Sequence, residues 1–348
     1  MNQSDSSLAI LILNMGSPRS PHVKDVKKYL TEFLCDKRII GLPYLLRQIL
    51  VRSIIVPRRA KFSAGNYKKI WDDNKKAFPL ITCTESIASK LEDKLGIPCH
   101  VAMRYGSPGI RHAIKGLARQ QNLKKLIVLP LYPQYAMSSY ETVVEKVHKE
   151  VRRINFGPEV EVIPPYYAHK AYIRAVSKTI EPFLKRQPFD KIIFSFHGIP
   201  LTQLPPECRK NYDTKNNHHC CESQGTEHTK ETLCYHNHCY TTVQYVAKTL
   251  GLKKEQYELA YQSRLGPTQW LTPYMDKRME QLPGEGIKRI LTVCPGFICD
   301  CLETLEEIAV TDRDLFLSQG GETCTYIPCL NDTDEWIEAM RSILHPYL

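Results

Sequence analysis

The sequence predicts an α/β protein with mostly parallel sheets, and two observations lead to that class. Short apolar runs alternate with stretches of helical periodicity along the whole 348 residues. Uninterrupted apolar runs are typical of strands covered on both faces, and the stretches between them suit crossover helices. A chain of this length also exceeds the usual size of one domain, so we expect two.

The predicted strands are spaced so that a helix fits between most neighbours. In chain order they span residues 8–14, 101–105, 126–131, 160–164, 191–197, 257–262, 289–293 and 325–329. Pro164 and Pro165 lie near the middle of the series, so we place a domain boundary at about residue 165. We expect a first domain of residues 1–165, completed by residues 325–348, and a second domain of residues 166–324.

Composition and motifs exclude several classes of protein. With 43% hydrophobic and 24% charged residues, the chain lies within the globular range. It contains no apolar run of the roughly 18–20 residues that a membrane-spanning helix needs. It also lacks a GxGxxG or Walker phosphate loop, which argues against a nucleotide enzyme. The polar start, MNQSDSSLAI, has no basic n-region, so we expect no cleaved signal peptide and a cytoplasmic location.

The carboxyl ends of the strands are the first candidates for chemistry, because parallel α/β sheets bind ligands there. His197 ends one run and precedes a Gly-Ile-Pro turn. A single His in such a turn is more often a structural hydrogen-bonding group than a catalyst. After the run at 289–293, Asp300, Glu303 and Glu307 recur at spacings of three and four, which on a helix places them on one face. Solvated helix faces often carry such acids, but this helix starts at a strand end, so we expect its first turn to face the ligand.

Four of these segments resemble the motifs of the ferrochelatase family. They are LNMGSP, SFHGIP, QSRLGPTQW and PGFICDCLETLEE, and the resemblance runs from residue 8 to about residue 340. It implies the chelatase fold: two similar Rossmann-like domains with parallel sheets and an active-site cleft between them. It also implies a lyase that inserts Fe²⁺ into protoporphyrin IX to form protohaem, releases two protons and uses no nucleotide.

The resemblance assigns roles to the residues at the strand ends. His197 matches the catalytic His, as proton acceptor, metal ligand or both, and Glu303 matches its paired acid. Glu307 and Asp300 would extend an acidic path for iron or protons. Metal insertion needs such groups, because pyrrole protons must leave while the ion exchanges water for other ligands. Many members have a second His where this chain has Cys301.

A second set of residues matches the porphyrin pocket of the family, although ordinary core packing is the alternative for the apolar members. The set comprises Met15, Arg58, Arg59, Tyr105 and Trp270. Guanidinium groups suit the porphyrin propionates, so we expect Arg58 and Arg59 to bind them. Met15 resembles the form of the motif in protoporphyrin enzymes, whereas coproporphyrin enzymes tend to have Tyr after this Met.

Residues 37–61 form a basic segment with seven Lys and Arg and no acidic residue. Apolar side chains separate the charges, so we expect a lip that rests on an anionic membrane surface, at the periphery of the inner membrane. The alternative is a helix packed inside the domain with its charges solvated. No aromatic-basic pattern favours nucleic acid. The sequence leaves monomer and homodimer equally open.

An insertion at about residues 203–239 concentrates cysteine in polar sequence. Cys208, Cys220, Cys221, Cys234 and Cys239 lie there, and four thiolates would hold a metal centre that orders the segment. We favour a [2Fe–2S] cluster, because the pattern resembles a bacterial subgroup of the family with such a cluster. Adjacent Cys220 and Cys221 would not both bind, so four of the five are ligands. Zinc with nearby His, disulfides and free thiols are the alternatives.

Three other functions are compatible with parts of the sequence. They are a coproporphyrin ferrochelatase, a cobalt chelatase of corrinoid synthesis, and a non-catalytic haem or iron redox sensor. A sensor would not need Glu303 and Glu307 facing His197, and a corrin-ring enzyme would not be expected to carry QSRLGPTQW. The protoporphyrin enzyme is therefore the main prediction.

Overall fold

The computed structural model describes residues 7–210, 212 and 233–348, which hold two four-stranded parallel sheets. The strands are β1 (Leu8–Asn14), β2 (Cys99–Met103), β3 (Lys125–Pro130), β4 (Glu159–Val162), β5 (Lys191–His197), β6 (Tyr257–Gln262), β7 (Arg289–Val293) and β8 (Thr323–Ile327). All of the predicted strands are therefore present. The edge strands β2 and β8 begin before the predicted residues, because their partly exposed starts tolerate polar residues that hide the apolar pattern.

The two sheets share one strand order. The first runs β2-β1-β3-β4 and the second β6-β5-β7-β8, so the first strand of each half lies between its second and third. Ile12 of β1, for example, is in register with Val101 on one side and Leu129 on the other. Residues 10–13 are fully buried, as expected for a central strand covered on both faces. The carboxyl ends of β1 and β5 thus lie inside each sheet, where ligands of such folds bind.

The described helices cover both sheets. They are α1 (Val23–Leu34), α2 (Tyr44–Ile49), α3 (Val56–Lys69), α4 (Pro79–Leu95), α5 (Ile110–Leu117), α6 (Thr142–Ile154), α7 (Lys170–Arg186), α8 (Pro206–Lys210), α9 (Tyr235–Leu250), α10 (Met275–Gln281), α11 (Arg313–Ser318) and α12 (Asp334–Leu344). Leu50–Ile55, Met137–Glu141 and Glu303–Asp312 are π-helical. Short 3₁₀ turns occupy Leu201–Gln203, Lys254–Gln256, Leu282–Glu285 and His345–Tyr347. Within this described part of the chain, no helix combines the length and hydropathy needed to cross a bilayer.

The last helix returns to the first half of the chain. Strand β8 pairs with β7 of the second sheet, whereas α12 packs against both α4 and α7. An ion pair joins Lys94 of α4 to Glu338 of α12, and Ser86 of α4 donates a hydrogen bond to Asp332 just before α12. The C-terminal segment therefore bridges the two halves.

Candidate functional site

A cavity of about 330 Å³ lies beyond the carboxyl ends of strands from both sheets. Residues that end or follow β1, β3, β5, β6 and β7 line it: Asn14, Leu131, His197, Ser263 and Gly296. Its walls are mostly apolar and aromatic, including Leu30, Phe33, Ile199, Leu265 and Phe297. Such a wall with a few polar groups is typical of a site for a large, mostly apolar ligand.

His197 lies at the end of β5 and lines this cavity. Its ring Nδ1 is 2.6 Å from the carbonyl oxygen of Gly198. A carbonyl only accepts hydrogen bonds, so this contact is a hydrogen bond when Nδ1 carries a proton. In the tautomer with its single proton on Nδ1, Nε2 keeps its lone pair and is the nitrogen that can accept a proton.

Two glutamates of the π-helical segment Glu303–Asp312 lie near His197. Glu303 lines the cavity. Glu307 is close enough to Glu303 and His197 for the charges of both to affect its pKa. The Ser263 hydroxyl lies 2.9 Å and 2.8 Å from the two carboxylate oxygens of Glu307. Ser263 has a φ of +62°, a conformation that non-glycine residues rarely adopt and that is often found at functional sites.

Gln262 fixes this acidic segment to the central strand. Its amide nitrogen donates to the backbone carbonyl of Glu303 at 2.8 Å, and its amide oxygen accepts from the Ser195 hydroxyl at 2.8 Å. Ser195 belongs to β5, the strand that ends at His197. A buried amide bonded on both sides thus holds the start of the acidic helix beside the histidine.

Burial makes two acids of this helix hold their protons more tightly. Burial raises the pKa of Glu307, and the nearby charge of Glu303 acts in the same direction. Burial, with Glu307 and other acids around it, raises the pKa of Asp312 to about 8. An acid with a pKa of about 8, such as Asp312, exchanges protons near neutral pH, and such groups can take part in proton relay.

Asp300 does not join these acids at the cavity. Asp300 lies before the start of the helical segment. Its carboxylate accepts hydrogen bonds from the Thr304 hydroxyl at 3.0 Å, the Tyr326 hydroxyl at 2.5 Å and the Asn331 amide at 2.7 Å. The predicted common face of Asp300, Glu303 and Glu307 therefore does not form. These bonds anchor the loop that leads into the acidic helix.

The residues predicted to bind porphyrin fall into two groups. Met15, Arg59 and Trp270 line the cavity, whereas Arg58 is exposed on α3 and does not. Tyr105 is fully buried behind the wall, edge-on to Phe33, and its hydroxyl donates to Asp36 at 3.0 Å. Hydrophobicity alone does not distinguish the wall from the layer behind it.

Several lining residues were not identified from the sequence. Tyr29 and Tyr67 are buried phenols in the wall, and burial raises the pKa of both, as does the charge of Glu303. The four-residue spacing of Tyr29 and Phe33 on α1 was an available signal for one aromatic face. Tyr235 also lines the cavity, and its hydroxyl donates to the backbone carbonyl of His197 at 2.8 Å. Its position in the cysteine-rich region concealed it.

Three of the five clustered cysteines lie within the described residues. Cys208, Cys234 and Cys239 are all buried in the same hydrophobic core. Cys220 and Cys221 lie outside the described residues. Within the described ranges, no three His, Cys, Asp or Glu side chains converge closely enough to hold a metal ion. Cys301 is buried and lines the cavity.

The basic segment, residues 37–61, contributes Ile39 and Arg59 to the cavity lining and carries an exposed apolar edge. Seven large apolar side chains of the segment and of the residue that follows it form this edge: Leu42, Tyr44, Leu45, Leu46, Ile49, Ile54 and Phe62. Two of the basic residues are internal, because Arg38 pairs with Glu141 and buried Arg47 donates to the carbonyls of Cys35 and Leu42. Arg52, Arg58, Arg59 and Lys61 are exposed beside the apolar side chains.

Comparisons with known proteins agree with this geometry. A family model described as Ferrochelatase matches residues 7–347. The ferrochelatase of Porphyromonas gingivalis is 47% identical, over 96% of this chain and 95% of that protein. The ferrochelatase of Opitutus terrae is 40% identical, over 98% of this chain and 97% of that protein.

Solved structures resemble the fold at low sequence identity. SirB from Bacillus subtilis with Fe³⁺ has a TM-score of 0.52 at 8% identity and covers 98% of this chain and 95% of its own. The sirohydrochlorin chelatase SirB from Bacillus subtilis subspecies spizizenii, in complex with cobalt, has a TM-score of 0.50 at 9% identity. The match covers 98% of this chain and 94% of that protein. The predicted chelatase fold is thus confirmed. The matches to curated relatives make the chain an enzyme of the metal-chelatase class. The chain belongs to the ferrochelatase family.

Proposed function

We propose that this chain inserts Fe²⁺ into protoporphyrin IX to give protohaem, with release of two protons. The observation that carries the proposal is the position of His197 at the cavity, with Nδ1 held by the Gly198 carbonyl. That bond leaves Nε2 as the nitrogen that would accept a pyrrole proton, and histidine is the side chain most often used as a general base.

The acidic helix supplies the second half of the proposed chemistry. Glu303, at the cavity wall, would act with His197 in taking up the pyrrole protons. Glu307, with its raised pKa and its bonds from Ser263, would receive a proton and pass it toward Asp312 on the same helix. Asp300 would support the loop instead of carrying protons, because its oxygens are already bonded to three neighbouring side chains.

The cavity wall supports protoporphyrin as the substrate. Met15, Trp270 and the aromatic side chains offer an apolar slot for the macrocycle, and Arg59 would pair with a propionate. Coproporphyrin III has two more propionates, which would enter this slot without partners. Arg58, exposed beside Arg59, would reach only a propionate that projects from the cavity.

An anaerobic assay with purified protein tests the substrate. We expect Fe²⁺ insertion into protoporphyrin IX with a specificity constant well above that for coproporphyrin III. Equal constants for the two porphyrins would reject the protoporphyrin assignment. Cobalt insertion into a corrinoid precursor, with no insertion of iron, would instead favour the cobalt chelatase. Absence of insertion into any tetrapyrrole would favour the sensor.

We further propose a [2Fe–2S] cluster bound by Cys208, Cys234, Cys239 and one of Cys220 and Cys221. Burial of three thiols from α8 and the start of α9 in one core, next to a very polar segment, is the observation behind the proposal. Among the described residues these thiols do not converge, so cluster binding would have to draw them together. Cys234 is near enough to Cys239 to add to the effect of burial, which raises the pKa of the Cys239 thiol. The donor set, all thiols, fits an iron–sulfur centre, which would give the chain a redox-active group outside the cavity.

Iron and sulfide analysis tests the cluster. Anaerobically purified protein should contain about two non-haem irons and two acid-labile sulfides per chain. Cys239→Ser should lose both and the visible absorbance, whereas Cys324→Ser, at a partly buried thiol on β8, should keep them. Colourless protein with one zinc would reject the cluster in favour of the zinc alternative.

We also propose that the exposed apolar edge contacts an anionic membrane surface. Leu45 and Phe62 are 72% and 74% exposed, and exposed Arg and Lys side chains flank them. Each basic residue near such a surface contributes about 1 kcal/mol of attraction. Leu45→Ser with Phe62→Ser should abolish sedimentation with anionic vesicles, whereas Leu317→Ser, at an exposed leucine on α11, should not. Equal sedimentation of both variants would contradict membrane contact through this edge.

For the domains, we propose residues 1–165 with the C-terminal segment as one unit and the rest as the second. Helix α12 packs on α7 of the second unit as well as on α4 of the first, and the bond from Lys125 of β3 to the Tyr347 carbonyl supports the return of the chain end to the first unit. Because β8 ends at Ile327 and pairs with β7, we place that boundary after β8, just past the residue 325 expected from the sequence.

A further inference from the structure

Two cysteines that the proposed reaction does not use face each other beside the cavity. The sulfur of Cys83 lies 2.7 Å from the sulfur of Cys299. Cys83 is on α4, in the first half of the chain, and Cys299 is in the loop after β7, in the second half. Two thiols in van der Waals contact would be farther apart, and a disulfide bond is about 2.05 Å long. The pair is therefore already close to bonding distance.

The two sulfurs differ in their access to small molecules. Cys299 is buried but lines the cavity, so it is the cysteine of the pair that a small oxidant in the cavity would meet first. Cys83 is not among the lining residues, and the hydrogen bond to Cys299, together with burial, raises its pKa. Cys83 therefore stays a neutral thiol until its partner has reacted.

The pair is also connected to the substrate side of the cavity. Thr84, the next residue after Cys83, accepts a hydrogen bond from the Asn14 side chain at 3.0 Å, and its hydroxyl is 3.7 Å from the Cys299 sulfur. Asn14 in turn accepts from the backbone nitrogen of Met15 at 2.8 Å. A change at the sulfurs thus acts directly on side chains that shape the cavity.

We propose that Cys83 and Cys299 are a peroxide-sensitive thiol pair, whose disulfide ties the two halves together at the cavity and stops metal insertion. Because it concerns residues outside the proposed catalytic set, this site goes beyond the proposed function. A disulfide here would hold α4 against the loop that supplies Gly296, Phe297 and Cys301 to the cavity. That loop leads into the acidic helix with Glu303.

The oxidation consumes one molecule of hydrogen peroxide. The Cys299 sulfur attacks the peroxide, so that an S–O bond forms, the O–O bond breaks and water leaves. The Cys83 sulfur then attacks the resulting sulfenic acid, an S–S bond forms, and the S–O bond breaks. The proton of Cys83 joins the departing hydroxide to give a second water. The two thiols lose two electrons, and a dithiol reductant reverses the change.

Peroxide treatment of the full chain tests the disulfide. The reduced protein is exposed to peroxide before any iron is added, because ferrous iron itself consumes peroxide, and the peroxide is then removed. After alkylation of remaining thiols and digestion without reductant, mass spectrometry should find the peptide of Cys83 linked to that of Cys299. A link of either cysteine to a different partner, or alkylation of both, would overturn the proposal.

Activity measurements test the effect on metal insertion. The oxidised wild type should lose about tenfold or more in turnover, as expected for a small displacement within a site, and dithiothreitol should restore it. Cys83→Ala and Cys83→Ser should insert iron normally before treatment and keep that activity after it. Equal loss in wild type and both variants would assign inactivation to other thiols, such as those of the cysteine-rich insertion, and would overturn the proposal. A disulfide without loss of turnover would overturn the proposed control of activity.

Discussion

The Tyr235 hydroxyl donates a hydrogen bond to the backbone carbonyl of His197, with 2.8 Å between the two oxygens. Tyr235 is the first residue of α9, which follows Cys234 and contains Cys239. The helix that begins at the end of the cysteine-rich insertion is therefore bonded directly to the strand end that presents the proposed base. This contact makes Tyr235 a positioning residue, and any change at the start of α9 would act on His197.

Tyr235→Phe removes that bond and keeps the ring in the cavity wall. We expect turnover to fall by about tenfold with little change in KM, because His197 loses its position and the substrate slot does not. Stability should fall by about 1 kcal/mol, the usual net value of one hydrogen bond. Tyr245→Phe, at an exposed tyrosine on the same helix, is the matched control. Steady-state kinetics that cannot distinguish the two variants would rule out the positioning role.

His197→Ala should abolish most metal insertion while porphyrin still binds. General acid–base catalysis contributes about 10²–10⁴-fold, so turnover should fall by that factor. Porphyrin binding, followed by fluorescence quenching, should change little because the apolar wall is intact. His345→Ala, at an exposed residue far along the chain, controls for the loss of an imidazole. A decrease below tenfold would remove His197 from the mechanism.

Glu303→Gln keeps the shape of the side chain but neither accepts protons nor carries charge. We expect turnover to fall by a factor similar to that for His197→Ala, about 10²–10⁴. The matched variant is Glu307→Gln, which keeps a partner for the Ser263 hydroxyl. If Glu303→Gln had normal turnover and Glu307→Gln did not, the catalytic role would pass to Glu307.

Asp312 should make stability depend on pH. Its pKa is raised to about 8 in the folded protein, above the ordinary 3.8 of an unfolded chain. The folded state therefore binds more protons between these values, so this group's contribution to stability falls as pH rises from about 4 to about 8. Asp312→Asn should gain stability relative to wild type progressively across this range.

Urea unfolding at several pH values measures the difference between Asp312→Asn and wild type. Asp314→Asn, at an exposed carboxylate two residues later, should show no such trend. Parallel pH profiles for wild type and Asp312→Asn would contradict the raised pKa.

Gly16→Ala should destabilise the loop that carries Met15. Gly16 has a φ of +98°, and a Cβ there would lie 1.9 Å from the backbone oxygen of Tyr105. We expect a loss of at least about 3 kcal/mol in the free energy of unfolding. Gly116→Ala, on α5 with open space around it, should instead stabilise by about 0.5–1 kcal/mol. Thermal unfolding measures both variants. Melting temperatures that shift in the same direction from wild type in Gly16→Ala and Gly116→Ala would contradict this account.

Local sequence was sufficient to predict the strands and the position of much of the site. Buried parallel strands need continuous apolar residues, so β1 and β5 are recognisable without any long-range information. Residues directly after such strands lie at the same edge of a sheet. For that reason His197 could be placed at the site from its strand end, whereas Met15 and Trp270 were identified through the resemblance of their motifs to those of the family; all three line the cavity.

Only the tertiary structure decided which side chains around those motifs face the cavity. Asp300 lies three residues before Glu303, a spacing that on a helix would place both on one face. Its hydrogen bonds to Tyr326 and Asn331, which are distant in sequence, hold its side chain away from the cavity instead. Likewise, the approach of Cys83 to Cys299 depends on how α4 packs against a loop from the other sheet. Sequence determines local periodicity, whereas the direction of a side chain and its partners depend on contacts between segments that are far apart in the chain.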